Sequence, residues 1–204
     1  MARGIFLAIE GPDGGGKTTQ AGLLAEHLRK AGREVVPVRE PGGTPLGERV
    51  RALLLEEDFS GMDVRTELFL FMAARAELVR QVIRPALARG AAVLSDRFLL
   101  STLVYQGLAG GLPLEEVRVA GRTATGGLAP DLTLVLDVPA EVGLARLKRA
   151  PDRMEEKGLA FHRAIRQGYL DLAPNDPGIV VIDATQPAEA VAGAVWEAVS
   201  HALR

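Results

Sequence analysis

Apolar residues are concentrated in five short segments of the chain, and longer mixed stretches separate them. Each segment is rich in Val, Ile or Leu and is apolar along most of its length, which is typical of strands buried on both faces of a sheet. We predict strands at Ile5–Glu10, Val35–Arg39, Ala91–Asp96, Leu132–Asp137 and Ile179–Asp183.

Helical patterns occupy the stretches between the predicted strands. We predict helices at Thr18–Ala31, Leu46–Leu55, Thr66–Arg89, Ser101–Gln106, Leu114–Thr125, Ala140–Arg149, Leu159–Ala173 and Ala188–Ala202. Strands that alternate with helices in this way form a parallel sheet with right-handed crossovers. The predicted fold is therefore α/β, a five-stranded parallel sheet with helices on both faces. We expect a single domain over residues 1–204, because no linker divides the chain.

Sheets of this class bind their ligands beyond the carboxyl ends of the strands. The polar residues that follow each apolar segment are therefore the candidates for function. They are Asp13, Glu40, Asp96, Arg97, Asp137 and Asp183.

A phosphate-binding loop, or P-loop, is indicated at Gly11-Pro12-Asp13-Gly14-Gly15-Gly16-Lys17-Thr18. This segment matches the pattern G-x-x-x-x-G-K-[ST] and lies between a predicted strand and a predicted helix. Its glycines let backbone N–H groups point inward, and the start of the following helix adds a positive dipole end. Lys17 would add a full charge near the terminal phosphates, and the Thr18 hydroxyl is placed to bind Mg²⁺. A glycine-rich hairpin turn is the alternative, but the flanking elements favour a nucleoside triphosphate site.

Composition narrows the class of protein. The chain has 204 residues, and its 48% hydrophobic but only 4% aromatic content predicts an aliphatic core. A formal net charge of −2 argues against a general nucleic-acid-binding surface, and the lack of cysteine excludes disulfides and thiolate metal sites. No apolar stretch reaches the ~20 residues that span a bilayer, and Glu10 interrupts the first one too early for a signal sequence. We therefore expect a cytoplasmic protein.

Specific roles can be predicted for three of the strand-end residues. Asp96 is a candidate ligand of Mg²⁺ or of its bound water, with capping of the next segment as the alternative. Arg97 follows directly and can bind an anionic oxygen with its forked guanidinium. Asp137 precedes Pro139 and the predicted helix at Ala140–Arg149, which favours a helix-capping role.

Other charged residues gather toward the same end of the predicted sheet. The loop at residues 39–44 lies near Arg49 and Arg51, and turn chemistry explains the loop but not the arginines. Phe71 and Arg75 share one helix face, which alone indicates core packing and a surface arginine. Residues 146–155 carry four cations around a proline. We interpret this cluster as a mobile lid over about residues 146–156, rather than an exposed helix end rich in salt bridges.

Together, these motifs resemble those of bacterial thymidylate kinases along the whole chain. The matching segments are Gly11–Thr19, Arg39-Glu40-Pro41-Gly42-Gly43-Thr44, Phe71-x-Ala73-x-Arg75, Asp96-Arg97-Phe98, Ser101-x-x-x-Tyr105-Gln106-Gly107, Pro130-Asp131-Leu132-Thr133, Asp152-Arg153 and Ile182-Asp183-Ala184. The resemblance implies a P-loop kinase architecture that transfers the γ-phosphoryl group of ATP to dTMP with Mg²⁺. It also implies a homodimer, and the predicted helix Thr66–Arg89 could form the interface.

Site residues follow from the same resemblance. For ATP they are Gly11, Pro12, Asp13, Gly14, Gly15, Gly16, Lys17, Thr18, Thr19 and Arg149. For dTMP they are Asp13, Glu40, Arg51, Phe71, Arg75, Arg97, Ser101, Tyr105 and Gln106. The metal would be held by Thr18 and Asp96, and the catalytic residues would be Asp13, Lys17, Arg97 and Arg153. Since no cation lies between Gly11 and Lys17, a lid arginine would have to supply the catalytic positive charge.

Two other functions compete with this interpretation. A kinase for another nucleoside monophosphate or for a deoxynucleoside would share the fold and the P-loop, but Phe71, Arg75 and Gln106 suit a pyrimidine with an oxygen at position 4. A GTPase switch would need a D-x-x-G motif after a strand and an N-K-x-D motif. The segment Asp58-Phe59-Ser60-Gly61 has no apolar strand before it, and the sequence contains no N-K-x-D.

Overall fold

Five parallel strands form one sheet in the computed structural model, which describes residues 3–55, 59, 61–147 and 153–203. The strands are β1 (Ile5–Glu10), β2 (Val35–Arg39), β3 (Ala92–Asp96), β4 (Leu132–Asp137) and β5 (Ile179–Asp183). Their order is β2-β3-β1-β4-β5. The earlier strands β2 and β3 lie on one side of β1, and the later strands β4 and β5 lie on the other. The connections on the two sides of β1 therefore run in opposite directions, and this opens a crevice at its carboxyl end. The predicted α/β class is confirmed.

Helices connect these strands. They are α1 (Lys17–Lys30), α2 (Pro45–Leu55), α3 (Val64–Leu78), α4 (Arg84–Ala88), α5 (Leu99–Thr102), α6 (Leu114–Thr125), α7 (Ala140–Arg146), α8 (Gly158–Leu172) and α9 (Ala188–Ala202). Most of the predicted bounds agree with these to within two residues. The predicted helix at Ser101–Gln106 is part of a longer helical segment, because α5 begins at Leu99 and continues into a π-helical stretch at Leu103–Leu108.

The alternation of side chains along β1 builds a core on each face of the sheet. Ile5, Leu7 and Ile9 pack in a cluster with residues of α1 and α9. Phe6 and Ala8 point to the opposite face and pack with residues of α3 and α4. A shift of β1 by one residue would exchange the two sets, so both cores together fix its register and the position of the P-loop that follows it.

The predicted single helix Thr66–Arg89 is wrong in its bounds and its continuity. The structure has α3, a π-helical turn at Val79–Ile83 and then α4. Pro85 is the reason, because it lacks an N–H and its ring excludes the carbonyl four residues earlier. The N–H of Arg84 bonds to the carbonyl of Val79, one residue farther back than in an α-helix. The start at Val64 follows from Asp63, whose carboxylate accepts from the N–H of Arg65.

The predicted capping role of Asp137 is also wrong. Its side chain accepts two hydrogen bonds from Arg166 on α8, at 2.7 and 2.8 Å. Pro139 is the N-cap of α7, and no side chain among the described residues caps that helix. Asp137 still belongs to β4, two residues before the cap position, so its carboxylate serves the packing of α8 on the sheet and does not reach the start of α7.

The predicted helix at Ala140–Arg149 ends at Arg146 in the structure. The middle of the proposed lid, residues 148–152, lies outside the described residues. A mobile lid over about residues 146–156 and a single domain over the whole chain stay predictions. Within the described ranges, no helix has the length and apolarity that crossing a bilayer requires.

Replacing Asp63 by Ala should lower the free energy of unfolding by about 1 kcal/mol, because the first turn of α3 loses the oxygen that accepts from Arg65 N–H. Urea unfolding followed by far-ultraviolet circular dichroism measures this change. Asp63→Ser is the matched control, since it keeps a capping oxygen and should retain most of the stability. Equal losses in the two variants would show that the cap does not stabilise α3.

Candidate active site

A deep cleft opens over the carboxyl ends of the central strands. Its volume of about 1470 Å³ exceeds the roughly 300–1,000 Å³ typical of a site for one small ligand. Lys17 of the P-loop lines its middle, Phe71 and Gln106 line the side of α3, and Ala184 lines the side of β5. The cleft therefore has room for two ligands that meet at the P-loop.

Close backbone packing fixes the shape of the P-loop. Gly11 has φ 131° and Gly14 has φ 72°, a region that favours glycine. A Cβ at Gly11 would lie 2.4 Å from the carbonyl oxygen of Leu136, and one at Gly14 would lie 1.9 Å from that of Gly143. Side chains at these two positions would push the loop off β4 and α7.

The start of α1 faces the cleft with groups that suit an anion. Gly16 is its N-cap, its first turn holds no acid, and no side chain in the described ranges caps its first N–H groups. The dipole end and the N–H groups are thus available to phosphate oxygens. Lys17 is buried and donates from Nζ to the carbonyls of Gly11 (3.0 Å) and Pro12 (2.7 Å). Burial, and then the charge of Arg97, lower the pKa of Lys17 to about 8.

Arg97 contacts both the P-loop and the helical segment that begins at α5. Its Nη2 pairs with Asp13 and lies 3.3 Å from the Tyr105 hydroxyl, and its Nη1 donates to Ser101 Oγ at 3.1 Å. The Tyr105 hydroxyl in turn donates to Asp13 at 2.9 Å. Burial raises the pKa of Asp13, but Arg97 and Lys17 outweigh it, and the net result is a pKa lowered to about 2. Asp13 is therefore ionised throughout the neutral range and acts as an acceptor.

The backbone of Arg97 is in the left-handed region, with φ 71°, which is costly for a residue with a side chain. The backbone N–H of Arg97 donates to the carbonyl of Ile9 at 2.9 Å, and the Ser95 hydroxyl donates to the carbonyl of Arg97. The chain thus turns sharply after β3 and directs the guanidinium back toward the P-loop.

Arg75 lies at the α3 end of the cleft, where several hydrogen-bond acceptors hold its guanidinium. It is 1% exposed and pairs with Glu40, with Nη2–Oε2 at 2.6 Å. Nη2 also donates to the Phe98 carbonyl and the Thr102 hydroxyl. The contact of Nη1 is the sulfur of Met72 at 3.6 Å, which is a weak acceptor. Nη1 is therefore the donor that a ligand oxygen can use, and Phe71 lines the same end with an aromatic face.

Comparisons with known proteins agree with this geometry. A family model described as thymidylate kinase matches residues 9–195. The thymidylate kinase of Deinococcus radiodurans is 48% identical over 204 residues, which cover 98% of both chains. That of Thermomicrobium roseum is 51% identical over 203 residues, 98% of this chain and 96% of the relative. The chain belongs to the thymidylate kinase family. A crystal structure of thymidylate kinase from Ehrlichia chaffeensis also matches, with 33% identity, a TM-score of 0.78 and coverage of 97% of this chain and 99% of that one.

Members of the thymidylate kinase family are phosphotransferases, and the predicted family is confirmed. The individual site assignments stay predictions, but the structure brings many of those residues together. Thr18 donates to Asp96 at 2.9 Å, so the two predicted metal ligands are neighbours. Arg51 lines the cleft and donates to the Pro41 carbonyl at 3.0 Å. Arg149, predicted to bind ATP, lies outside the described residues.

Arg153 is a predicted catalytic residue whose described partners lie outside the P-loop. It is 4% exposed, pairs with Glu67 of α3 at 2.8 Å and donates to the carbonyl of Leu54 at 2.9 Å. Its described contacts are thus with α2 and α3 and not with the P-loop. The prediction that Arg153 assists phosphoryl transfer stays open.

The sequence interpretation missed Glu10, the last residue of β1. Its side chain is fully buried and accepts from the N–H groups of Phe98 and Ser101, at 2.7 and 3.2 Å. It also accepts from the hydroxyls of Ser101 and Tyr169. Glu10 thereby positions the residues around Arg97. The available signal was an acid that ends a wholly apolar strand directly before the P-loop.

We predict that the free protein takes up protons when it binds ATP at about pH 8.5. With a pKa of about 8, much of Lys17 is deprotonated there, and phosphate oxygens next to Nζ would raise that pKa and restore the proton. Calorimetric titrations in buffers of different ionisation enthalpy measure the uptake. Lys17→Arg is the control, since arginine does not titrate in this range. Equal uptake by both proteins would contradict the assignment.

Proposed function

We propose that the protein transfers the γ-phosphoryl group of ATP to dTMP and forms dTDP and ADP. The observation that carries this proposal is one cleft with a P-loop in its middle and an end lined by Phe71, Arg75 and Gln106. ATP would occupy the side of β5 and dTMP the side of α3. Two anionic ligands would then meet where Lys17 and Arg97 converge.

On the ATP side, the start of α1 and Lys17 would hold the phosphates. We infer that Mg²⁺ binds through Thr18 and Asp96, whose oxygens are hard donors 2.9 Å apart. No group of three or more His, Asp or Glu side chains that could hold a metal occurs among the described residues. This fits Mg²⁺, which commonly takes one or two protein ligands and completes its shell with phosphate and water. The ion would neutralise charge on the phosphates.

On the dTMP side, Phe71 would stack on the base, while Arg75 Nη1 and the Gln106 amide would meet its edge. Glu40 would hold Arg75 in place. Arg51 would bind the monophosphate together with Arg97. Tyr105, Ser101 and Asp13 would surround the sugar.

Catalysis would rest on positioning and charge. The attacking oxygen belongs to a phosphate that is already deprotonated at neutral pH, so the step needs no general base and no nucleophilic side chain. Asp13, with its low pKa, would accept a hydrogen bond and orient Arg97. Arg97 and Lys17 would stabilise the charge that develops between the nucleotides. Arg149 and Arg153 are the proposed lid cations, and Arg153 would have to exchange Glu67 for a phosphate.

A panel of acceptors tests the function. With ATP and Mg²⁺, ADP formation should give the highest kcat/KM with dTMP, ahead of dUMP, UMP and AMP. Lys17→Met should lower kcat by more than about 100-fold, because charge at the transferring group is lost. Lys30→Met, on the last turn of the same helix, is the control and should act as wild type. Fastest turnover of AMP would favour another nucleoside monophosphate kinase, and GTP hydrolysis without an acceptor would favour the GTPase class.

We also infer that the protein works as a homodimer in the cytoplasm, where both nucleotides are supplied. An apolar groove of about 840 Å³ lies between α3 and α6. Phe69 in this groove is 67% exposed and Val119 is 49% exposed. Ala73, Ala76 and Ala120 line the groove, and such small residues let a second helix pair come close. An exposed apolar face of this kind suits a second copy related by a twofold axis.

Phe69→Glu should convert the dimer to a monomer, because it places two charges in the apolar interface. Light scattering coupled to size exclusion measures the mass. Leu46→Glu replaces another exposed apolar residue, 51% exposed on α2, and should leave the mass unchanged. A wild-type monomer, or a dimeric Phe69→Glu protein, would contradict the proposed interface.

A further inference from the structure

Glu67 of α3 is a buried carboxylate for which the proposed reaction gives no role. It is 1% exposed, and three groups converge on it from separate parts of the chain. Its Oε2 accepts from Nε2 of Gln106 at 3.0 Å. Its Oε1 lies 2.8 Å from Nη1 of Arg153 and 3.4 Å from Nζ of Lys157. One carboxylate therefore contacts a cleft residue, the proposed lid cation Arg153 and Lys157, which directly follows the proposed lid.

The chemistry of this contact fixes the orientation of the Gln106 amide. An ion-paired carboxylate only accepts hydrogen bonds, so the amide nitrogen of Gln106 must face Glu67. Rotation of the amide by 180° would place its oxygen against Oε2 and leave a buried acceptor pair without a proton between them, which is unfavourable. The carbonyl Oε1 lies on the other branch of the amide. Gln106 is 1% exposed and lines the end of the cleft where we place the base.

An amide oxygen held in this way would select among pyrimidine bases. The ring N3 of thymine carries a hydrogen and donates, whereas N3 of cytosine has a lone pair and accepts. The oxygen of Gln106 can pair with the first and repels the second. Desolvated sites of this kind discriminate strongly, because a mismatched base leaves buried polar groups unpaired.

We infer that Glu67 is a positioning residue that fixes the Gln106 amide with its oxygen toward the base and so selects pyrimidines with an N3–H. This inference rests on the proposed function, since it places a pyrimidine monophosphate beside Gln106. Glu67 acts through Gln106 and does not touch the substrate. In this structure Arg153 and Lys157 both contact the carboxylate, and Arg153 also donates to the carbonyl of Leu54.

The chain contains a second, independent constraint on this arrangement. Leu112 donates its N–H to the carbonyl of Gln106 at 3.1 Å, and Gln106 lies in the π-helical stretch at Leu103–Leu108. The backbone of Gln106 is therefore fixed by its own segment, and Glu67 fixes the far end of its side chain. With both ends held, the amide plane has no freedom to adapt to a different base.

Glu67→Gln tests the inference, because a glutamine at 67 can offer either an oxygen or an N–H and so permits both orientations of Gln106. The ratio of kcat/KM for dTMP to that for dCMP should fall at least about tenfold relative to wild type, equivalent to about 1.4 kcal/mol. Glu77→Gln, on the same helix and paired with exposed Arg80, is the matched control and should keep the wild-type ratio.

A double-mutant cycle separates positioning from general structural damage. In a Gln106→Ala background, Glu67→Gln should change the dTMP-to-dCMP ratio by less than about twofold, since the amide it orients is gone. An unchanged ratio in Glu67→Gln alone, or the same fall in both backgrounds, would overturn the inference. A change in kcat alone would also count against it, since that would indicate an effect through Arg153. If wild-type protein does not phosphorylate dTMP, the proposed function itself has failed.

Glu67→Asp covers the case in which Glu67→Gln does not fold. It keeps the negative charge beside Arg153 and Lys157 but shortens the side chain by one methylene, so the amide of Gln106 loses its partner. The same fall in the ratio is expected. Calorimetric binding of dTMP and dCMP without ATP gives a second readout that does not depend on turnover, and equal relative affinities in Glu67→Asp and wild type would overturn the inference.

Discussion

The ion pair between Arg97 and Asp13 is the interaction on which the site depends, because it connects the end of β3 to the P-loop. Both side chains are largely buried, and removing one partner of such a pair leaves an uncompensated charge, at a cost of about 3–5 kcal/mol. The strained backbone of Arg97 is tolerated because its N–H and carbonyl are both bonded. Loop, strand end and guanidinium thus hold one another before any nucleotide arrives.

Two further buried arginines are paired with carboxylates, one at the base end of the cleft and one in the proposed lid. Arg75 pairs with Glu40, and Arg153 pairs with Glu67, both in buried surroundings. Burial raises the pKa of Glu40 while Arg75 opposes the rise, so this carboxylate is held less firmly in its charged form than Asp13, which has two cations beside it. Each guanidinium is fixed from behind by a carboxylate. For Arg75 and Arg97, which line the cleft, the remaining N–H groups are then pre-oriented for oxygens of a ligand, which lowers the entropy lost on binding.

Much of this arrangement could be predicted from the sequence, where a local pattern carries the information. The P-loop, the five strands and the residues at their carboxyl ends follow from apolar runs and glycine spacing. The helix at Thr66–Arg89 was wrong because one proline changes the hydrogen-bond pattern in a way that periodicity does not show. Asp137 was misassigned because its partner, Arg166, is distant in sequence and only the packing of α8 brings the two together.

Glu10 and Glu67 escaped the sequence interpretation for a related reason. Each is an acid in an apolar context, where a local pattern gives no partner, and each proves to hold residues that do line the cleft. Buried acids of this kind also affect the charge balance of the cleft. A cleft for a nucleoside triphosphate and a nucleoside monophosphate needs many cations, yet Lys and Arg number 24 against 26 Asp and Glu. Several of the acids contact arginines and not the ligand, and they balance the charge of those arginines. The arginines still direct N–H groups into the cleft. The buried pairs Arg97–Asp13 and Arg75–Glu40 therefore give the cleft oriented cationic donors without adding to the net charge of the chain.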